Sequence, residues 1–207
     1  DGFPLSRSSN DLIFVIKYLL LCLESIKDAQ KYVPEFLDDI TKKGLSCIKF
    51  MKTPDDKIPL FNGASENNLD QLNKYIKISD KQKKDTIGGI FYAKSKAQIL
   101  YFDTGSPPNK NFSKNYQSGP LSFEYYLDGV KIITNCGYGN NISSKAELIS
   151  KLTASQSTLT INDTSVNKFE RSKLINRVYG NSIKDTFKTY EKNTINDANY
   201  TGCSILH

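Results

Sequence analysis

The chain has 207 residues, 38% hydrophobic and 24% charged, with 28 Lys and Arg against 22 Asp and Glu and a formal net charge of +6. This is the composition of an ordinary soluble protein, long enough to bury a sizeable core. The basic balance fits an anionic partner, but the lysines are scattered, and a nucleic-acid interface is not expected. The one dense run, Lys81 to Lys84, lies between Asp80 and Asp85, as in a solvated loop. Cys22, Cys47, Cys136 and Cys203 have no CxxC spacing, so thiolate metal binding is not expected. Buried free thiols and a disulfide both remain compatible with these positions. The longest apolar run, Leu12 to Leu23, is interrupted by Lys17 and is too short to cross a bilayer. The first residues lack the pattern of a secretory signal.

Residues 10–28 carry apolar side chains at Leu12, Ile13, Val15, Ile16, Leu19, Leu20, Leu23 and Ile26, a helical period. Ser9, Asn10 or Asp11 can cap this helix. Its stripe is wide, which predicts burial by other helices. A second helix starts at Pro34, with Glu35, Asp38 and Asp39 near its positive end and Phe36, Leu37, Ile40, Leu45 and Ile48 inward. Gly44 weakens it locally, and it ends before Pro54. Residues 64–87 are polar, with a short helix near Leu69 to Ile76. Strands follow, the clearest from Ala97 to Phe102, ended by Gly105-Ser106-Pro107-Pro108. The runs Leu121 to Leu127 and Val130 to Asn135 flank Asp128-Gly129, a two-residue hairpin signal. Ser157 to Ile161 alternates as a half-buried strand does. Phe169 and Val178-Tyr179-Gly180 suggest further strands, and Thr186 to Tyr190 and Ser204 to His207 weaker ones.

Several strings recur in a familiar order: Ser6-Arg7-Ser8-Ser9, Val33-Pro34-Glu35-Phe36-Leu37, Pro59-Leu60-Phe61-Asn62-Gly63 and Asp103-Thr104-Gly105. They continue with Gly119-Pro120-Leu121-Ser122-Phe123-Glu124, Asn135-Cys136-Gly137, Ser157-Thr158-Leu159 and Asp163-Thr164. Over nearly the whole chain this resembles the heparinase II/III-like family of polysaccharide lyases. The resemblance implies an α+β fold. A short helical N-terminal part, the end of an α/α toroid, would be followed by an antiparallel β-sandwich. It also implies an internal fragment, divided as helical residues 1–53, connecting residues 54–87 and truncated sandwich 88–207.

The activity implied is β-elimination on a uronic-acid-containing polysaccharide. A base removes the C5 proton, a neutraliser stabilises the enolate and an acid protonates the leaving oxygen. Carried across by position, the family's catalytic His falls on Asn115 and its Tyr at or near Asp11, so neither expected residue is present. Asn115 can donate to a carboxylate but is no base. Tyr116 is a candidate acid or stacking residue, and Glu124 faces either the cleft or solvent. Arg7 matches a uronate carboxylate bidentately, with Gln117 near the same cleft. The family's structural zinc positions read Gln117, Asn135 and Gln156. Carboxamides are poor zinc ligands, so no metal or other cofactor is expected, and the three amides should form a neutral hydrogen-bonded cluster. His207, the sole histidine, reads as structural. The resemblance also implies an anionic polysaccharide partner, a cell-envelope or periplasmic location and no membrane insertion. The alternative is a non-catalytic glycan-binding protein on the same scaffold.

Overall fold

The computed structural model describes residues 1–79, 84–160, 162, 164–175 and 183–191. The expected strands at Val178 to Gly180 and Ser204 to His207 lie outside the described residues, as do Lys81 to Lys83, Ile161 and Cys203. The elements run α1 Ser9–Asp28, α2 Glu35–Met51, α3 Asp70–Ile78, β1 Thr86–Ile87, β2 Ile90–Lys94 and β3 Gln98–Asp103. They continue with β4 Phe123–Leu127, β5 Val130–Ile133, α4 Ser144–Lys151, β6 Asn167–Ile175 and β7 Ile183–Glu191. Helices precede an antiparallel sheet, the α+β class expected. None of the described helices is long and apolar enough to cross a membrane.

Ser8, one residue earlier than expected, caps α1; its Oγ accepts the Asp11 N–H at 3.3 Å and satisfies a free first-turn donor. Leu12, Ile13, Ile16, Leu20 and Leu23 turn inward, while Phe14, Val15, Tyr18 and Leu21 are exposed. Among the described residues the expected burial of α1 is therefore one-sided. In α2, Leu45 and Ile48 are buried as expected, whereas Phe36 and Ile40 are exposed. Gly44 sits where α2 crosses α1, and a Cβ there would lie 2.2 Å from Ile16 Cδ1. Its missing side chain sets how closely the helices approach, beyond any weakening of α2. The sequence pattern did not reveal α4, which is only eight residues long and is capped by Ser143 Oγ accepting the Ala146 N–H at 3.1 Å.

The sheet is a meander of neighbouring strands, β1-β2-β3-β4-β5, all antiparallel. Asp128 and Gly129 have φ of 48° and 81°, the paired positive values a two-residue turn needs. Register places Tyr92 opposite Tyr101 and Tyr101 opposite Glu124. By period-two alternation these three share one face with Ile90, Asp103 and Tyr126. That face meets the helices. Leu12, Ile16, Leu45, Ile48, Ile90, Tyr101 and Tyr126 belong to one buried cluster that runs from the helical layer into the sheet. β6 and β7 pair separately as a two-stranded ribbon.

Of the strand expected over Ser157 to Ile161, the described residues 157–160 fall in no strand. Their polar groups are held by side-chain bonds instead: the Ser157 N–H donates to Asn135 Oδ1 at 3.0 Å, and Thr158 Oγ1 donates to Pro120 O at 2.5 Å. Alternation alone does not distinguish this pinned segment from a ladder strand.

Gly44→Val should destabilise the protein by about 1–3 kcal/mol through overpacking against Ile16, read as a lower urea midpoint. An unchanged midpoint would contradict the close helix crossing.

Candidate functional site

The helical layer and the sheet meet at the segment 59–65, PLFNGAS, which lies almost wholly inside the protein. A buried loop must find partners for its backbone polar groups, and here side chains from the sheet domain supply them. Glu124 Oε1 accepts the Leu60 N–H at 3.1 Å, Asp103 Oδ2 accepts Asn62 Nδ2 at 3.2 Å, and Gln117 Oε1 accepts the Gly63 N–H at 3.0 Å. From the helical side, Asn10 Nδ2 donates to Gly63 O and Ser65 Oγ, both at 3.0 Å. The Tyr138 N–H donates to Ala64 O at 2.9 Å.

The structure brings most of the candidate residues to this junction, and most of them point into the protein. Glu124 is fully buried. Besides Leu60 it accepts the Asn135 N–H at 3.2 Å and the Thr134 hydroxyl at 2.9 Å, and it pairs with Lys131 Nζ at 3.3 Å. Arg7 is 8% exposed. Its Nε donates to Gly88 O at 2.9 Å, its Nη1 to Gly105 O and Ser106 O at 3.0 and 2.9 Å, and its Nη2 pairs with the buried carboxylate of Asp103. The guanidinium lies between Gly89 and Gly105, where a Cβ on either would approach Nη2 to 2.6 Å. Its directed bonds therefore run to this pocket of protein oxygens. Tyr116 is 1% exposed.

Asn115 differs. It is half-buried, and its carboxamide bonds to no described residue. It packs on Gly63 so closely that a Cβ there would lie 2.6 Å from Asn115 O. Gly63 thus separates Asn115 from Asn10 at the start of α1. Behind this seam, buried Lys151 donates from Nζ to Lys114 O at 2.7 Å and fixes the backbone beside Asn115. Burial lowers the Lys151 pKa, and the Glu147 carboxylate 3.5 Å away opposes that shift.

Of the amides at the family's zinc positions, two meet and one turns aside. Gln117 Nε2 donates to Gly137 O and Ser150 O at 2.8 and 2.7 Å, and Gln156 Nε2 donates to the same Ser150 O at 2.7 Å. Cys136 Sγ lies 3.6 Å from Gln156 Nε2. Asn135 Oδ1 instead takes the Ser157 N–H and hydroxyl, each at 3.0 Å, and its buried Nδ2 has no partner among the described residues. Cys22, Cys47 and Cys136 are free thiols. Burial pushes the phenols of Tyr101, Tyr126 and Tyr138 upward, so these three stay protonated and supply no base near neutral pH.

The sequence profile of the heparinase II/III-like C-terminal domain matches residues 86–203, over half of the chain. The chain belongs to the heparinase II/III-like family. Solved structures with the same fold include a mutant heparan sulfate lyase HepC from Pedobacter heparinus, at 16% identity and a TM-score of 0.67, covering 84% of this chain and 32% of that one. A heparinase III gene product matches at 14% identity and 0.67, covering 83% and 32%. Another heparinase III matches at 13% identity and 0.59, covering 84% and 34%. The chain spans about a third of the length of these structures. No curated protein sequence matches it significantly.

Asp103, Asn62 and Lys151 carry the junction without having been singled out by residue type, and Asn10, a candidate helix cap, instead bonds to Gly63 and Ser65. Asp103 and Asn62 lie in the DTG and LFNG strings, so the signal was present as a string, while its meaning, a buried clamp, needed the fold.

Asp103→Ala strands the Arg7 guanidinium in a buried site and should cost about 3–5 kcal/mol in denaturant unfolding; a loss near zero would contradict the clamp. Metal analysis of dialysed protein should find no stoichiometric zinc, because Gln117 and Gln156 spend their amides on carbonyls. Zinc bound one to one would overturn that account.

Proposed function

We propose that the protein acts on a uronic-acid-containing polysaccharide at the seam between helices and sheet, with Asn115 as the amide that holds the uronate carboxylate. One observation carries this reading. Asn115 is the candidate whose side chain is partly exposed and uncommitted, and it lies beside Gly63 and Asn10 on the rim of the junction. A carboxamide N–H directed at a carboxylate stabilises the charge that grows on it as the C5 proton leaves. Glu124 and Tyr116 are buried structural groups in this reading, and Arg7 is a clamp on Asp103. The base for β-elimination is then none of these residues. The compartment that goes with such a substrate is the cell envelope or periplasm.

A second reading, a glycan-binding protein without turnover, is favoured by the amides themselves. Asn115, Gln117 and Gln156 carry neither a base nor a good metal ligand.

One assay separates the two: the protein is incubated with uronate polysaccharides, and the unsaturated product is followed by far-ultraviolet absorbance. The lyase reading predicts new absorbance, with Asn115→Ala lowering kcat/KM by about a hundredfold and Tyr116→Phe leaving it unchanged. Binding that depends on Asn115, without product, supports the second reading. Turnover and binding both indifferent to Asn115→Ala would retire the seam as the site.

A further inference from the structure

A groove of about 470 Å3 opens between the end of α2 and the tips of the β2–β3 and β4–β5 hairpins. β3 connects it to the junction: its Gln98 end lies at the groove and its Asp103 end at the Arg7 clamp, about 17 Å apart at roughly 3.4 Å per residue. Four lysines line the groove, Lys49, Lys52, Lys94 and Lys96, together with Asp56 and Asp128. Two of the four are tied to the protein. Lys49 Nζ donates to Lys77 O at 3.3 Å, and Lys52 Nζ holds Asn73 Oδ1 at 3.0 Å and Asp56 Oδ1 at 2.9 Å. Lys94 and Lys96 are exposed on the hairpin tip and bond to no described residue. Tyr92, half-buried, also lines the groove and packs edge-on against Phe50 with ring centroids 5.5 Å apart.

Two exposed lysines two residues apart on one hairpin, lining a groove that also holds an aromatic ring, suit an extended polyanion better than a compact ion. Asp56 offsets Lys52, so the charge left for a repeating polymer is that of Lys94 and Lys96. We propose that this groove is a second docking surface for an anionic polysaccharide, holding one carboxylated or sulfated stretch while another lies at the Asn115 seam. The identity of the polymer rests on the function proposed above, whereas the site is carried by the groove's own charge and shape. Docking through exposed charges raises the local concentration of polymer and is screened by salt.

The test is calorimetric titration of the folded protein with a heparin-derived oligosaccharide at low and at physiological ionic strength. Lys94→Ala/Lys96→Ala should weaken binding about tenfold at low salt and less at higher salt. Lys31→Ala/Lys145→Ala, which removes two exposed lysines elsewhere, should leave affinity within about twofold. Equal losses from both pairs would mean that only net charge matters and would overturn the groove. An unchanged affinity in the Lys94/Lys96 variant would overturn it too. If Asn115→Ala alone weakens binding, the groove falls and the seam stands. Wild-type protein that ignores the oligosaccharide also retires the groove, while the product assay still decides the function of the seam.

Discussion

The structure depends on how the protein satisfies a buried loop. Connecting segments ordinarily run over the surface because water pairs their backbone groups. Segment 59–65 runs inside and receives its partners from Glu124, Asp103 and Gln117 on one side and Asn10 on the other. Two of these partners are buried carboxylates, which are costly to desolvate unless every oxygen is used. Asp103 uses its oxygens on Arg7, Asn62 and the Gly105 N–H, and Glu124 uses its own on Leu60, Asn135, Thr134 and Lys131. Removing any one of them leaves a charge or donor without compensation, so the helical layer and the sheet are locked together through this loop.

That lock also engages side chains that their chemistry alone would offer for catalysis. An arginine, a glutamate and a glutamine in a polar string read as a site. Here the ligands of Arg7 are protein carbonyls and Asp103, the ligands of Glu124 are two backbone donors, the Thr134 hydroxyl and Lys131, and Gln117 bridges Gly63 to Ser150. Asn115, half-buried against Gly63, is the candidate whose carboxamide bonds to no described residue.

The helices α1 to α3, the Asp128-Gly129 hairpin and the strand through Tyr101 were legible because hydrophobic period and turn chemistry are local. Gly44 was legible as a weak point and illegible as a crossing point, since its partner Ile16 lies 28 residues away in sequence. Alternation left Glu124 free to face either way, and only the register opposite Tyr101 sends it inward. Ser157 to Ile161 had the look of a strand because the alternating hydroxyls and apolar residues from Thr158 onward suit both a ladder and a segment pinned by side chains. The site was legible as a set of positions; which of them is spent on the fold is a long-range property of the packed chain.

The most direct measurement of this account is amide hydrogen exchange at Leu60 and Gly63. Both lie in a loop by conformation, yet each donates to a buried sheet side chain. The account predicts that both amides are protected nearly as strongly as the core of β3, because they open only when the two layers separate. Exchange as fast as that of an exposed turn would mean that the loop is not locked, and the central claim would fail.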